Sequence, residues 1–400
     1  MIRRFVNLVA ANNSSCTYSL HRLDVSKYLF YPSIEEANAN ENHDRGTPSK
    51  VGTVRRLPPV SMRFHRFPQY TDTCLWPKDE TFVLLNSHSS EGRILHLTHE
   101  GHAFLYDADA RSMSAVPSHD GPWGYKPKFI SIADDPAGYG KENNSLYLIS
   151  ETFTRVPGQL TCPSFEVLNF NEHPRKWQPL PVPPSGWGYK PSFTVVDGGH
   201  TLCVSCSEGT YCFNTRSREW RRAGDWELPF KGRAHYVPEL GTWLGFSSRF
   251  RGLCSWCDDL SASSDLSHMD TQRAPMLQHV WEDLIPLQEE EKIVLSKQLL
   301  SITIDRKKSW VQLNKNLLNL GGGRFCVAKF FQEQQSVTFG NDEYDDTGGV
   351  EMASCTRNFI VLTGVEVLRG GDSEEAGLRM VKHRSKRYMF TKDVEIKWVL

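Results

Sequence analysis

Three sets of residues in this chain have types and spacings that could do chemistry. The first is a basic residue that recurs at one place in a repeated aromatic element: Trp123/Lys126/Phe129, Trp187/Lys190/Phe193 and Phe230/Arg233/Tyr236. Copied around a symmetric fold, that element would set its cations on a common arc. Cations so placed receive carboxylates or phosphates through charge-assisted hydrogen bonds. Arg324, just after Gly321–Gly323, is a fourth candidate. The structural alternative is that each basic group bonds backbone carbonyls of the neighbouring repeat. The second set is Cys203-x-x-Cys206 with Cys254-x-x-Cys257, formally a zinc pattern. Cys203 and Cys206 fall in a strand-like run, where positions three apart point to opposite faces. A zinc knuckle needs a tight turn there, so these cysteines read as small buried thiols, and no metal or cofactor is expected. The third set is the tyrosines and histidines Tyr125, Tyr189, His200 and His235. Walker-type, GxSxG, HExxH and dinucleotide fingerprints are missing from the sequence.

The elements that must position these residues read as repeated sheets. The stretch from Trp187 to Gly224 holds four strand-like runs parted by turn residues, among them Gly198 and Gly199. Within it Trp220 follows Phe213 by seven positions. The same step links Phe170 to Trp177 and Tyr106 to Met113. Trp123, Trp187 and Phe230 each lie 17 positions after the first residue of such a pair. A step of seven crosses a hairpin, so the two large side chains can meet between adjacent sheets, burying roughly 150–250 Å² per aromatic ring. One such sheet has two apolar faces and cannot stand alone, so copies must stack. The expected fold is all-β: a propeller of about six blades formed by residues 1–400 as one domain.

Gly198, Gly199, Phe213 and Trp220 resemble the kelch-type blade, with its Gly-Gly turn, aromatic, and Trp seven positions on. Some kelch-type folds carry a copper-radical oxidase site, which is what the third set would imply. Over nearly its whole length the chain also resembles a family of cereal-grass proteins known only as a domain of unknown function. The segments MIRRFVNLV, SLHRLDVSKYLFYP, GHAFLYDADAR, GTYCFNTRSREW, YVPELGTWLG, GRFCVAKFF and FIVLTGVEVL carry that resemblance in order. It implies a kelch-like, F-box-associated type of propeller and no activity. No F-box pattern accompanies it.

The formal charge of −1 argues against a general nucleic-acid or membrane-surface binder. No apolar run approaches the roughly 20 residues of a membrane helix. The opening MIRRFVNLVAANNSS reads as a first strand rather than a signal or transit peptide, because Asn7 interrupts the apolar run. Ten cysteines then suggest reduced thiols, and a cytoplasmic or nuclear rather than secreted protein. Residues 33–56 are polar and read as a flexible loop. Residues 280–318, with the acidic run Glu289–Glu291, read as a partly helical insertion. Residues 379–400 begin with RMVKHRSKR and read as a basic segment ending in a strand, its charges guarding an edge. The expected function is a monomeric, non-enzymatic scaffold or substrate adaptor. It would bind a peptide or protein, by charge an acidic one, at its channel face through Lys126, Lys190, Arg233 and Arg324. Its rivals are the metal-dependent oxidase and a carbohydrate-binding protein with aromatics exposed on that face.

Overall fold

A computed structural model of the chain describes residues 2–44, 51–54, 56–66, 80–85, 91–98, 100–119, 125–134, 143–153, 161–183, 191–247, 260–263, 274–281, 288–297, 300–341, 351–370 and 377–400. Four regular blades follow one another, each an antiparallel meander of four consecutive strands. Blade I is Thr81–Leu84, Arg93–Leu97, Ala103–Asp107 and Ser112–Val116. Blade II is Tyr125–Asp134, Asn143–Phe153, Thr161–Asn169 and Trp177–Pro179. Blade III is Ser192–Val196, Thr201–Cys206, Gly209–Asn214 and Glu219–Gly224, and blade IV is Phe230–Val237, Thr242–Ser247, Leu260–Ser263 and His279–Trp281.

The expectation of about six blades is corrected to these four. The other strands form two sheets that break the blade rule of consecutive strands. In the closing sheet, Phe5–Asn12 is flanked by Thr17–Asp24 on one side and by Val394–Val399, from the far end of the sequence, on the other. A long-stranded sheet contains Leu300–Gly321, Arg324–Asn341 and Glu351–Arg369, and takes in Gly52–Val54 as a parallel edge. A count based on turn spacing assumes strands of one length, and strands of about twenty residues defeat it.

Apolar clusters lie between successive sheets and hold the propeller together. Tyr18 and Leu20 of the closing sheet meet Phe82 and Ile94 of blade I. Leu95 and Leu105 meet Leu146 and Leu148 of blade II, and Tyr147 and Phe165 meet Leu202 and Phe213 of blade III. Cys203 and Cys212 meet Phe230 and Trp243 of blade IV, whose Leu244 and Phe246 meet Phe325 and Val365 of the long-stranded sheet. That sheet packs back on the closing sheet through Leu318 and Ile360 against Leu8 and Leu23. Removing this apolar surface from water drives the stacking.

Two further expectations are corrected. Residues 33–56 are not simply a loop: Ile34–Asp44 is a helix, and Gly52–Val54 is a strand. The Ser33 hydroxyl accepts from the Glu36 amide at 3.3 Å, the first half of an S-x-x-E capping box. The described residues of 280–318 lie in strands rather than in a helix. Gln288–Lys297 pairs with Leu300–Gly321 so that Glu289, Glu290 and Glu291 stand opposite Lys308, Lys307 and Arg306. The basic run Arg379–Arg387 lies within the strand Leu378–Met389.

Candidate functional site

The first strands of blades III and IV lie side by side. Phe193 and Arg233 form a parallel bridge, and the Thr194 hydroxyl donates to the Ala234 carbonyl at 3.3 Å. The strand Phe230–Val237 alternates: Ala234 turns into the blade III–IV core, while Arg233 and His235 turn the other way. His235 Nε2 lies 3.0 Å from the Leu317 carbonyl, so it carries the proton and donates. Burial first, then the neighbouring Arg233 charge, pushes the His235 pKa down to about 3, and Arg3 acts in the same direction. The imidazole is therefore neutral at ordinary pH. Arg3 reaches this place from the chain start, tied by its backbone amide to the Leu320 carbonyl at 2.6 Å. Burial lowers both Arg3 and Arg233 to about 10, so both remain cations at neutral pH. Among the described residues, the Arg233 guanidinium has neither a carboxylate nor a carbonyl partner. The structural alternative for the repeated basic residue is therefore not realised at this position.

A second cationic group stands at the junction of blade IV with the long-stranded sheet. Lys315 and Lys329 face each other in register, and Lys231 is close by. Burial, then the charges of Lys231 and Lys329, lower the Lys315 pKa to about 6. Its Nζ lies 4.5 Å from the centre of the Phe246 ring. Arg3, Lys315 and Lys329 carried no sequence signal, because their meeting depends on contacts between distant parts of the chain.

The other expected rim residues fare differently. Arg324 Nε donates to Glu366 Oε1 at 3.1 Å, and its guanidinium lies over the Phe30 ring. Lys126 falls in the strand Tyr125–Asp134, and Lys190, Trp123 and Trp187 lie outside the described residues. Of the aromatic steps, Phe213 stands opposite Trp220 with rings 5.1 Å apart, and Phe165 of blade II completes the contact at 5.6 Å from Trp220. Tyr106 stands opposite Met113, but Met113 is 47% exposed and buries nothing comparable. Trp177 pairs with Leu168 and lies on the blade I–II core beside Phe170. Phe230 is wholly buried, and Gly198 and Gly199 turn the chain with positive φ.

Cys203 faces Cys212 across the hairpin, with sulfurs 2.9 Å apart, while the Cys206 thiol points to the Gly209 carbonyl. Cys254 and Cys257 lie outside the described residues, and among the described residues no three metal-ligating side chains converge. His200 and His235 serve different places: His200 receives a bond from Arg216, and His235 donates to Leu317. The oxidase residue set is thus not assembled by its described members.

Two polar triplets look hydrolytic and are not arranged for it. Ser164 and His119 both bond to the Glu166 carboxylate, at 3.0 and 3.1 Å, so the hydroxyl donates to the acid and not to the imidazole. The Ser19 hydroxyl does reach His21 Nε2 at 2.9 Å, and His21 Nδ1 reaches the Pro58 carbonyl at 2.6 Å. Both residues are buried within the sheet packing, Asn12 also donates to the Ser19 oxygen, and burial lowers the His21 pKa.

The profile of a family described as "Protein of unknown function (DUF1668)" matches residues 3–388. No curated protein matches the chain. Among solved structures, hydrazine synthase of Kuenenia stuttgartiensis is 12% identical, covers 75% of this chain and 80% of its own, and has a TM-score of 0.36. The Cps50 (Swd1) β-propeller domain of Myceliophteria thermophila is 11% identical, covers 71% and 96%, and has a TM-score of 0.28.

Proposed function

We propose that this chain, which belongs to the DUF1668 family of proteins of unknown function, is a binding module that captures an acidic peptide or protein segment at the centre of its propeller. The observation that carries the reading is Arg233. It is a guanidinium on an innermost strand, flanked by Arg3 and a neutral His235, with no acid partner among the described residues. An enclosed cation lacking a counter-charge is costly by itself, and a carboxylate supplied by a partner relieves that cost. Lys126 and Lys190 hold the same place in the sequence repeat as Arg233.

The test is capture of a fluorescein-labelled hexaglutamate peptide, followed by stopped-flow anisotropy. The wild-type chain should bind it with an association rate that falls steeply with salt. The triple variant Lys126→Glu/Lys190→Glu/Arg233→Glu should keep its circular dichroism spectrum and lose at least about tenfold in association rate. Equal rates in the two proteins, or no salt dependence in the wild type, would overturn the proposal.

A further inference from the structure

A cleft of about 180 Å³ opens where the turns of blade III meet blade II, apart from the central cations. Its floor is apolar, formed by Ile132 and Val167 of blade II and Phe213 of blade III. Its rim is polar and cationic. Arg216 and Arg218 stand on the Asn214–Arg218 turn, His200 on the facing turn, and the Tyr147 hydroxyl comes up from below.

These groups are held in place rather than draped over the surface. The Asn214 side-chain oxygen accepts from the amides of Arg216 and Ser217, both at 2.9 Å, forming an Asx-turn. Arg218 takes a left-handed conformation, φ 60°, and its amide closes on the Asn214 carbonyl at 2.9 Å. Thr215 ties this turn to the facing one, donating its amide at 2.9 Å and its hydroxyl at 3.1 Å to the His200 carbonyl. The facing turn lies tight on blade II: a Cβ on Gly199 would come within 2.9 Å of the Ile132 side chain.

The charges point the same way. Arg216 Nη2 donates to His200 Nε2 at 2.9 Å, so that nitrogen is an acceptor and the imidazole proton sits on Nδ1. Tyr147 is 6% exposed, and burial raises its pKa while the Arg218 charge and side-chain hydrogen bonds with Thr215 and Ser145 oppose the rise. Among the described residues, no carboxylate pairs with Arg216 or Arg218. Two guanidiniums without acids, set on a rigid turn over an apolar floor with a hydroxyl between, match an oxyanion carried on a small apolar body.

We propose that this cleft is a binding site for a small organic anion, its phosphate or carboxylate held by Arg216, Arg218 and the Tyr147 hydroxyl and its apolar body resting on Ile132, Val167 and Phe213. The volume admits a body about the size of a single ring. The guanidinium fork matches either oxyanion bidentately, so the two chemistries are separated by experiment.

The experiment titrates the full chain with phenyl phosphate, and separately with benzoate, following methyl resonances of Ile132 and Val167 together with calorimetric heat. At least one anion should bind with Kd below about 1 mM and shift both methyls, and the tighter one identifies the oxyanion. Arg216→Gln/Arg218→Gln should weaken it at least about tenfold with an unchanged melting temperature, because both side chains are exposed. Tyr147→Phe, which keeps the packing, should weaken it several-fold. Inorganic phosphate and benzyl alcohol, each lacking one half of the ligand, should bind at least about tenfold more weakly. The site is overturned if neither anion shifts the methyls at about 10 mM. It is also overturned if the double variant binds as tightly as the wild type, or if inorganic phosphate or benzyl alcohol matches the better anion.

Discussion

Phe213→Ala should cost about 3–5 kcal/mol of folding stability, the range for deleting a fully buried aromatic ring. Phe213 is wholly buried, with the rings of Phe165, Trp220 and Tyr147 at 4.9, 5.1 and 6.5 Å. Two of these belong to blade II and one to blade III, so the substitution would hollow the seam between blades. The seam cannot collapse into the cavity, because two turns and the Trp220 indole bond to the Pro181 carbonyl fix its edges. Urea unfolding measures the loss. Met113→Ala, at a comparable step in blade I, is the control: at 47% exposure it should change stability by about 0.5 kcal/mol or less. A Phe213→Ala loss below about 1 kcal/mol would mean that the blade II–III seam does not hold the fold.

Glu366→Ala should cost about 2–3 kcal/mol. Its carboxylate accepts from Arg324 and from His383 Nε2, both at 3.1 Å, while His383 Nδ1 accepts from the Tyr31 amide at 3.2 Å. Removing the acid leaves a buried imidazole proton and a guanidinium without their acceptor. Breaking a fully buried pair costs about 3–5 kcal/mol, and the figure here is lower because Arg324 reaches solvent. The His383 bond, with Arg324 in support, holds the Glu366 pKa below its ordinary 4.5 despite burial. A carboxylate with a lowered folded pKa stabilises fully above its unfolded value and ceases to do so as pH falls through the folded one. The stability gap between wild type and Glu366→Gln should therefore be constant at neutral pH and shrink once pH drops below about 4.5. A gap that persisted unchanged to pH 3 would place the stabilisation elsewhere.

Hairpin register was legible in the sequence because it is local. Phe213 opposite Trp220 and Tyr106 opposite Met113 follow from turn residues and alternation within a dozen positions. Exposure was not legible: Met113 lies on the outer strand of blade I, where no neighbour covers it. The helix Ile34–Asp44 did announce itself through Ser33-x-x-Glu36, but its polar composition masked the cap. Glu289–Glu291 suggested a helix because an acidic run next to apolar residues also fits a helix, although the strand pairs with Leu300–Gly321 in a hairpin. The convergence of Arg3 on Arg233 and His235 could not be read for a different reason, distance in sequence, since it needs strands from three separate regions. The cleft rim was spelled out as NTRSR, yet its apolar floor comes from another blade.

The closing sheet also sets a timetable for biosynthesis. Val394–Val399 is made roughly 380 residues after its neighbour Phe5–Asn12. At about 5–20 residues per second that separation takes roughly 20–80 s to translate. Through that interval the backbone of Leu8, Val9 and Ala10 presents an unpaired, apolar edge, open to strand exchange with a neighbouring nascent chain. Blades I–III can assemble on the ribosome, but the first strand must wait. The nascent chain therefore depends on whatever shields that edge, and a slow codon anywhere between the two strands lengthens its exposure by the whole length of the pause.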